Sequence, residues 1–176
     1  MMSIVYLFWM YVILLGIVGA MRGWAKELLV SFSAITALAV NLLMDKYIPL
    51  VRDLPDNSSS VFWIRVIILL ALAYFGYQTV SVVPRLSSKA ARERLQDALF
   101  GGVVGGINGY FIAGSILFYN HVAEYPYRDI ISPATDPAVI AAIDTMMKYM
   151  PPRFLGEPSI YFAVIIILIF IIVVYI

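Results

Sequence analysis

The stretch that decides the fold class is IVYLFWMYVILLGIVGAM, residues 4–21, which contains no charged side chain. A helix of about 20 mostly apolar residues crosses the hydrocarbon core of a bilayer, within a range of about 17–25. Four more windows of this kind follow, at residues 28–44, 61–83, 98–120 and 160–176. The sequence therefore predicts four or five membrane-spanning helices.

The composition of the whole chain agrees with membrane insertion. Of its 176 residues, 62% are hydrophobic and 13% are charged, about half the charged share of soluble domains. A soluble domain of this size buries only about 70% of its chain surface, so much apolar surface would face water. A soluble single domain and a disordered chain are thereby excluded. We predict an all-α integral membrane protein, a four- to five-helix transmembrane bundle with one interfacial amphipathic helix.

Residue counts exclude several kinds of site. The chain has no cysteine, which excludes disulfides, thiolate metal sites and cysteine nucleophiles. Its single histidine, His121, excludes a multi-histidine metal centre built by this chain alone but leaves a lone axial ligand of a haem or pigment open. The net charge of +1 argues against nucleic acid as a partner. Because no nucleotide-binding or nucleophile motif occurs either, we expect no cofactor and no enzymatic activity.

A double row of glycines marks the fourth window. These glycines recur every four residues in two adjacent rows: Gly101, Gly105 and Gly109, and then Gly102 and Gly106. Residues four apart share one helix face, and a face without side chains lets another backbone approach closely. The two rows either form a face for a partner or a second copy of the chain, or they pack against another helix of the same chain. Internal partners are available in the first window, where Gly16 with Ala20 and Gly19 with Gly23 show the same spacing.

Charged residues cluster on one side of the predicted bundle. Arg22, Gly23 and Glu27 belong to a short polar turn after the first window, and Arg94 and Asp97 precede the fourth. Arg22 and Glu27 should face each other near the interface, where a pair costs less than two isolated charges. Interfacial anchoring of Arg22 is the alternative to a functional charge cluster.

The first, second, fourth and fifth windows contain no charged residue. We therefore expect no charge inside these helices, which argues against a transporter. Arg65 is the exception, one turn inside the third window. Its side chain can extend outward to Asp45 or Asp56, so it need not mark a functional site.

A short amphipathic helix is predicted over residues 137–150. Asp136 followed by Pro137 is typical of an N-cap and a first helical residue, and Pro151-Pro152 should end the helix. The apolar residues share one face: Val139, Ile140, Ile143, Met146, Met147 and Met150. The segment is too short to span, so we expect it in the interface with this face on lipid or on a partner, of which we favour lipid.

These features divide the chain into three parts. Residues 1–120 form a four-helix membrane region, residues 121–159 an extramembrane loop with the amphipathic helix, and residues 160–176 a C-terminal transmembrane helix. The first window ends in Val18-Gly19-Ala20, which loosely suits signal-peptide cleavage. No basic segment precedes it, so we expect a retained helix.

The basic residues predict an orientation. The first and third connections carry six Lys and Arg in about 20 residues, and the second and fourth carry five in about 55. The positive-inside bias then places the first and third connections in the cytoplasm. The N-terminus is outside and the C-terminus inside if five helices span.

Residues 22–29, RGWAKELL, resemble the R-G-x-x-x-E-L motif of the CvpA family, the colicin V production proteins. A charged stretch, RLQD at residues 94–97, then leads into a glycine-rich helix, as in that family. The resemblance covers residues 1–120. Two features depart from it: the first helix lacks the family's early acidic residue, and the family's D-R-x-x-G order is scrambled. The resemblance implies a bacterial inner-membrane protein of envelope homeostasis or export, with no established enzymatic activity.

Three functions remain open at this point. The resemblance implies a scaffold or accessory factor in envelope maintenance or export. The glycine rows and the missing catalytic set also suit a non-catalytic accessory subunit of a larger bioenergetic or photosynthetic membrane complex. A small transporter or channel is the third. The expected partners are membrane lipid and other membrane-protein subunits or a second copy of the chain.

Overall fold

The structure, a computed structural model, describes residues 4–78, 91–128, 131 and 133–175. The described residues form eight helices and no strand: α1 (Ile4–Arg22), α2 (Trp24–Tyr47), α3 (Pro49–Arg52), α4 (Ser59–Gln78), α5 (Ala91–Val122), α6 (Pro137–Met147), α7 (Pro151–Phe154) and α8 (Ser159–Tyr175). By length and composition, α1, α2, α4 and α5 are suited to cross a membrane, and α8 is a shorter apolar helix. The predicted all-α membrane bundle is confirmed. The end of the third window, residues 79–83, lies outside the described residues.

Two helices begin earlier than their apolar windows. α2 starts at Trp24 and not at Leu28, so the predicted polar turn shrinks to the single residue Gly23. Gly23 has a φ of +87°, a backbone conformation that glycine adopts without steric cost. α5 starts at Ala91 and includes the charged stretch before the glycine rows. Hydropathy marks where lipid begins, whereas the helix continues as long as its backbone hydrogen bonds do.

α2 forms the centre of the bundle. It packs against α4, α5 and α8, while α1 packs mainly against α5. Val30, Ala34 and Ala37 of α2 are fully buried, as is Leu69 of α4. The resulting core is apolar along the middle of α2, which leaves the polar contacts of this helix near its two ends.

The amphipathic segment forms α6, although it ends at Met147 instead of Met150. Asp136 is its N-cap, and the Asp136 Oδ1 accepts a hydrogen bond from Ala138 N at 2.8 Å. Pro151 does not end this helix but begins α7 as its first residue. The chain turns between the two helices, because proline fits a first helical position and not a helix interior.

The apolar face of α6 divides between the protein and its surroundings. Ile143, Met147 and Met150 are buried in one cluster with Phe8 of α1 and Leu117 of α5. For these three residues the neighbour is therefore the chain itself and not lipid. The remaining members of the face are exposed or half-buried: Val139, Ile140 and Met146.

Candidate functional site

The junction between α1 and α2 is covered by the start of α5. A Cβ at Gly23 would lie 2.8 Å from Asp97 Oδ2, so any side chain there would have to displace the carboxylate. The backbone N–H of Trp24 donates to Asp97 Oδ1 at 3.3 Å. The first N–H groups of a helix have no partner within the helix, and a carboxylate there is favourable. Asp97 of α5 thus supplies the capping group that Gly23 lacks.

Glu27, one turn into α2, is fully buried. Its Oε1 forms an ion pair with Arg22 Nη1, and its Oε2 accepts a hydrogen bond from Asn108 Nδ2 at 2.8 Å. Both carboxylate oxygens therefore have donors. Such pairing is required, because an uncompensated buried charge costs several kcal/mol.

Asn108 extends this arrangement into α5. It is fully buried, and its Nδ2 also donates to the Glu27 carbonyl oxygen at 2.9 Å. Its Oδ1 accepts a hydrogen bond from Ser31 Oγ at 2.6 Å. The amide thus has hydrogen bonds at both ends, and the satisfied network joins α2 to α5.

Arg22 brings the end of α4 into the same site. Its Nη2 donates to the carbonyl oxygen of Tyr77 at 3.2 Å, and its guanidinium lies 4.4 Å from the centre of the Tyr77 ring. The residues that meet here on four helices are named the junction cluster: Arg22, Glu27, Ser31, Tyr77, Asp97 and Asn108. The expectation of no charge inside helices one and two is wrong for Glu27, because α2 begins before its apolar window.

Four of the five predicted charged-turn residues meet at this site, and Arg94 does not. Arg94 is exposed on the first turn of α5. Sequence reasoning missed Asn108, Ser31 and Tyr77. Ser31 lies four residues after Glu27 and therefore on the same helix face, which was the available signal.

The first glycine row contacts α1 of the same chain. A Cβ at Gly105 would lie 2.5 Å from the Leu15 carbonyl oxygen, and one at Gly109 would lie 2.9 Å from Val12 Cα. Gly101 is in direct contact with Gly19. The α1–α5 contact is thus one of backbone against backbone. It orients the start of α5 toward the junction cluster.

The second row is less enclosed. A Cβ at Gly102 would meet the Ala20 Cβ at an ordinary distance of 3.5 Å, and one at Gly106 would have no neighbour within 4 Å. The two rows therefore differ in the space that they leave for a side chain.

A second polar group lies at the opposite end of α2. Arg65 Nη2 contacts Asp45 Oδ2 and Asp56 Oδ1, each at 2.8 Å, so both anticipated partners pair with it. Asn41 Nδ2 donates to the Arg65 carbonyl oxygen at 3.1 Å and to the Tyr119 hydroxyl at 3.2 Å. These five residues are named the distal cluster. Its arginine is neutralised by two carboxylates, as expected for a charge near a membrane surface.

An ion pair at the same end joins α2 to the start of α8. Lys46 Nζ lies 3.0 Å from Glu157 Oε2, and the Tyr161 hydroxyl donates to Glu157 Oε1 at 2.6 Å. The hydrogen bond from Tyr161, followed by that from Lys46, lowers the pKa of Glu157. The pair is exposed, so its contribution to stability is small.

Neither polar cluster has the composition of a metal site. Among the described residues, no group of three His, Asp or Glu side chains is placed to hold a metal ion. His121 Nδ1 lies 3.2 Å from the Tyr125 hydroxyl, and its Nε2 lies 3.7 Å from Asp144 Oδ1. Both ring nitrogens therefore face protein groups. The imidazole links α5 to α6.

Comparison with protein-family models matches residues 4–141 to the family described as Colicin V production protein. The matched range contains the whole junction cluster and the glycine rows. No curated protein and no solved structure matches the chain significantly.

Proposed function

Because the chain belongs to the Colicin V production protein family, we propose that it is a scaffold or accessory factor in envelope maintenance or export. In this proposal it lies in the bacterial inner membrane with the charged start of α5 on the cytoplasmic side. Its partners are other membrane-protein subunits or a second copy of the chain. It performs no catalytic step itself.

The separation of the two polar clusters supports a scaffold. Glu27 and Asp45 are 18 positions apart on α2, which corresponds to about 27 Å along a helix. The core between them is apolar. Transporters usually place charges or broken helices near the membrane midplane, where they line a path. Here the charges of the two clusters are paired near the helix ends, and they hold helices together.

The length of α5 offers a surface for a partner. Its 32 residues correspond to about 48 Å of helix, against a hydrocarbon core of about 30 Å. The first turns, with Glu93 and Arg94 exposed, therefore extend beyond the lipid. Because the junction cluster holds the start of α5 in place, the exposed charged residues there have a fixed position for a partner to bind.

The test combines site-specific cross-linking with complementation. A photo-reactive amino acid at Arg94 should form one reproducible adduct with another membrane protein, while the same group at Ile172, exposed on α8, should not form it. A deletion strain should leak periplasmic protein and recover with the parent chain but not with Arg94→Glu.

Two results would contradict the scaffold proposal. If the chain co-purifies at fixed stoichiometry with redox or pigment subunits, it is instead an accessory subunit of a bioenergetic complex. Solute uptake into proteoliposomes containing only this chain would assign a transporter.

A further inference from the structure

A lateral cleft of about 630 Å³ opens between α1 and α4, with α5 as its floor. α1 packs mainly on α5, and α4 packs mainly on α2, so separate contacts hold the two walls. The lining is almost entirely apolar and includes Phe8, Leu15, Leu70, Ala73, Ile112 and Ile116. A cleft of this polarity that faces a bilayer is accessible to hydrocarbon and not to water.

The size of the cleft suits a lipid chain. Sites for small molecules usually enclose about 300–1,000 Å³, and the cleft lies within this range.

Polar groups at the two ends of the cleft lack hydrogen-bond partners within the described part of the chain. Asn120 lines the cleft, is only 6% exposed, and has an Nδ2 without an acceptor. Tyr77, a member of the junction cluster, lines the other end of the cleft, and its buried hydroxyl is also unpaired. An unpaired donor is costly in hydrocarbon, because no water replaces the missing acceptor.

Asn120 lies near one end of α5, so in a membrane it would be close to the depth at which a lipid carries its ester groups. It is two residues from the end of α5 at Val122. The same end of the bundle holds Trp63 and Tyr127, joined by a hydrogen bond from Trp63 Nε1 at 2.6 Å. Trp and Tyr concentrate where the membrane meets water. The backbone carbonyls of a spanning helix are already paired within that helix, whereas a lipid ester carbonyl is free to accept.

We propose that the α1–α4 cleft binds one glycerophospholipid, with an acyl chain between the two helices and an ester carbonyl hydrogen-bonded to Asn120 Nδ2. The bound chain completes the apolar packing that α1 and α4 do not provide for each other. This lipid belongs to the folded molecule and not to the freely exchanging lipid around it. The assignment does not depend on the scaffold role.

Native mass spectrometry of the full chain tests this directly. The protein is purified in mild detergent and incubated with phosphatidylethanolamine or phosphatidylglycerol. One lipid should remain bound to the parent chain. Ala113→Phe places a ring among the cleft residues, and Asn120→Leu removes the donor while keeping the number and branching of the side-chain heavy atoms. Each should lower the lipid-bound fraction by about tenfold at equal collision energy.

Ala71→Phe is the matched control, because Ala71 is exposed on α4 and does not line the cleft. This variant should retain lipid as the parent does. Equal retention by the parent, Ala113→Phe and Asn120→Leu would overturn the proposal. A dimer that is lost in Ala113→Phe would also overturn it, because the cleft would then hold a second copy of the chain. If Ala113→Phe does not fold, Asn120→Leu decides alone.

Discussion

The carboxylate of Asp97 accepts a hydrogen bond from the backbone N–H of Trp24, the first residue of α2, across 73 positions of sequence. The side chain of an N-cap residue normally accepts a hydrogen bond from one of the unpaired N–H groups at the start of its helix. Gly23 occupies that position here and has no side chain. The start of one membrane helix is therefore completed by a carboxylate from another.

Gly23→Ala should destabilise the bundle. The alanine Cβ would lie 2.8 Å from Asp97 Oδ2 and would occupy a backbone conformation with a φ of +87°. Left-handed backbone strain alone costs about 1–3 kcal/mol. Thermal unfolding in detergent measures the loss. Gly156→Ala is the control, since its nearest neighbour is the Arg153 carbonyl oxygen at 3.7 Å. Equal stability of both variants would contradict the close approach of Asp97.

Glu27→Leu should cost more than a simultaneous change of both ion-pair partners. Removing Glu27 alone leaves Arg22 without its buried carboxylate, and breaking a buried pair typically costs about 3–5 kcal/mol. The double variant Arg22→Met/Glu27→Leu removes both charges and should recover part of that loss. A double-mutant cycle from chemical unfolding measures the coupling. Strictly additive effects would show that the pair does not contribute as a pair.

Gly105→Ala and Gly106→Ala should differ although the residues are neighbours. The first places a methyl group 2.5 Å from the Leu15 carbonyl oxygen, and the second meets nothing within 4 Å. Overpacking of a tight contact costs about 1–3 kcal/mol. The amount of folded protein recovered from membranes and its unfolding temperature compare the two. A larger loss in Gly106→Ala would reverse the assignment of the rows.

Ile143→Lys should release α6 from the bundle. Ile143 is 4% exposed and lies in a cluster with Phe8 and Leu117, whereas Ile140 is 41% exposed. A lysine in the buried position must leave the apolar contact to keep its charge solvated. Limited proteolysis should then cut within residues 137–147 in Ile143→Lys and not in Ile140→Lys. The same cleavage in the parent would show that α6 is not docked.

Labelling of introduced cysteines can test the predicted orientation, because the chain has no native cysteine. Glu93 and Ser59 are exposed at opposite ends of the bundle. In intact cells, Glu93→Cys should resist an impermeant maleimide and Ser59→Cys should react, as the positive-inside bias requires. The opposite labelling pattern would invert the topology.

Composition and periodicity sufficed to predict the membrane class and the pairing of Arg22 with Glu27. These inferences depend on residues close in sequence. Asn108 was missed because its partners are 81 positions away, and no spacing rule reveals which face of α5 turns toward Glu27. The same limit applies to α6. Its apolar stripe was visible, but periodicity does not distinguish lipid from Phe8 as the neighbour of that stripe.

The order of synthesis gives the junction a further consequence. Trp24 and Glu27 leave the ribosome 73 and 81 residues before the side chains that satisfy them, Asp97 and Asn108. Until α5 enters the bilayer, the first hairpin has an open helix end and a carboxylate without its amide donor. Insertion of α5 is thus the step that supplies both partners, and a chain that ends before residue 97 lacks them.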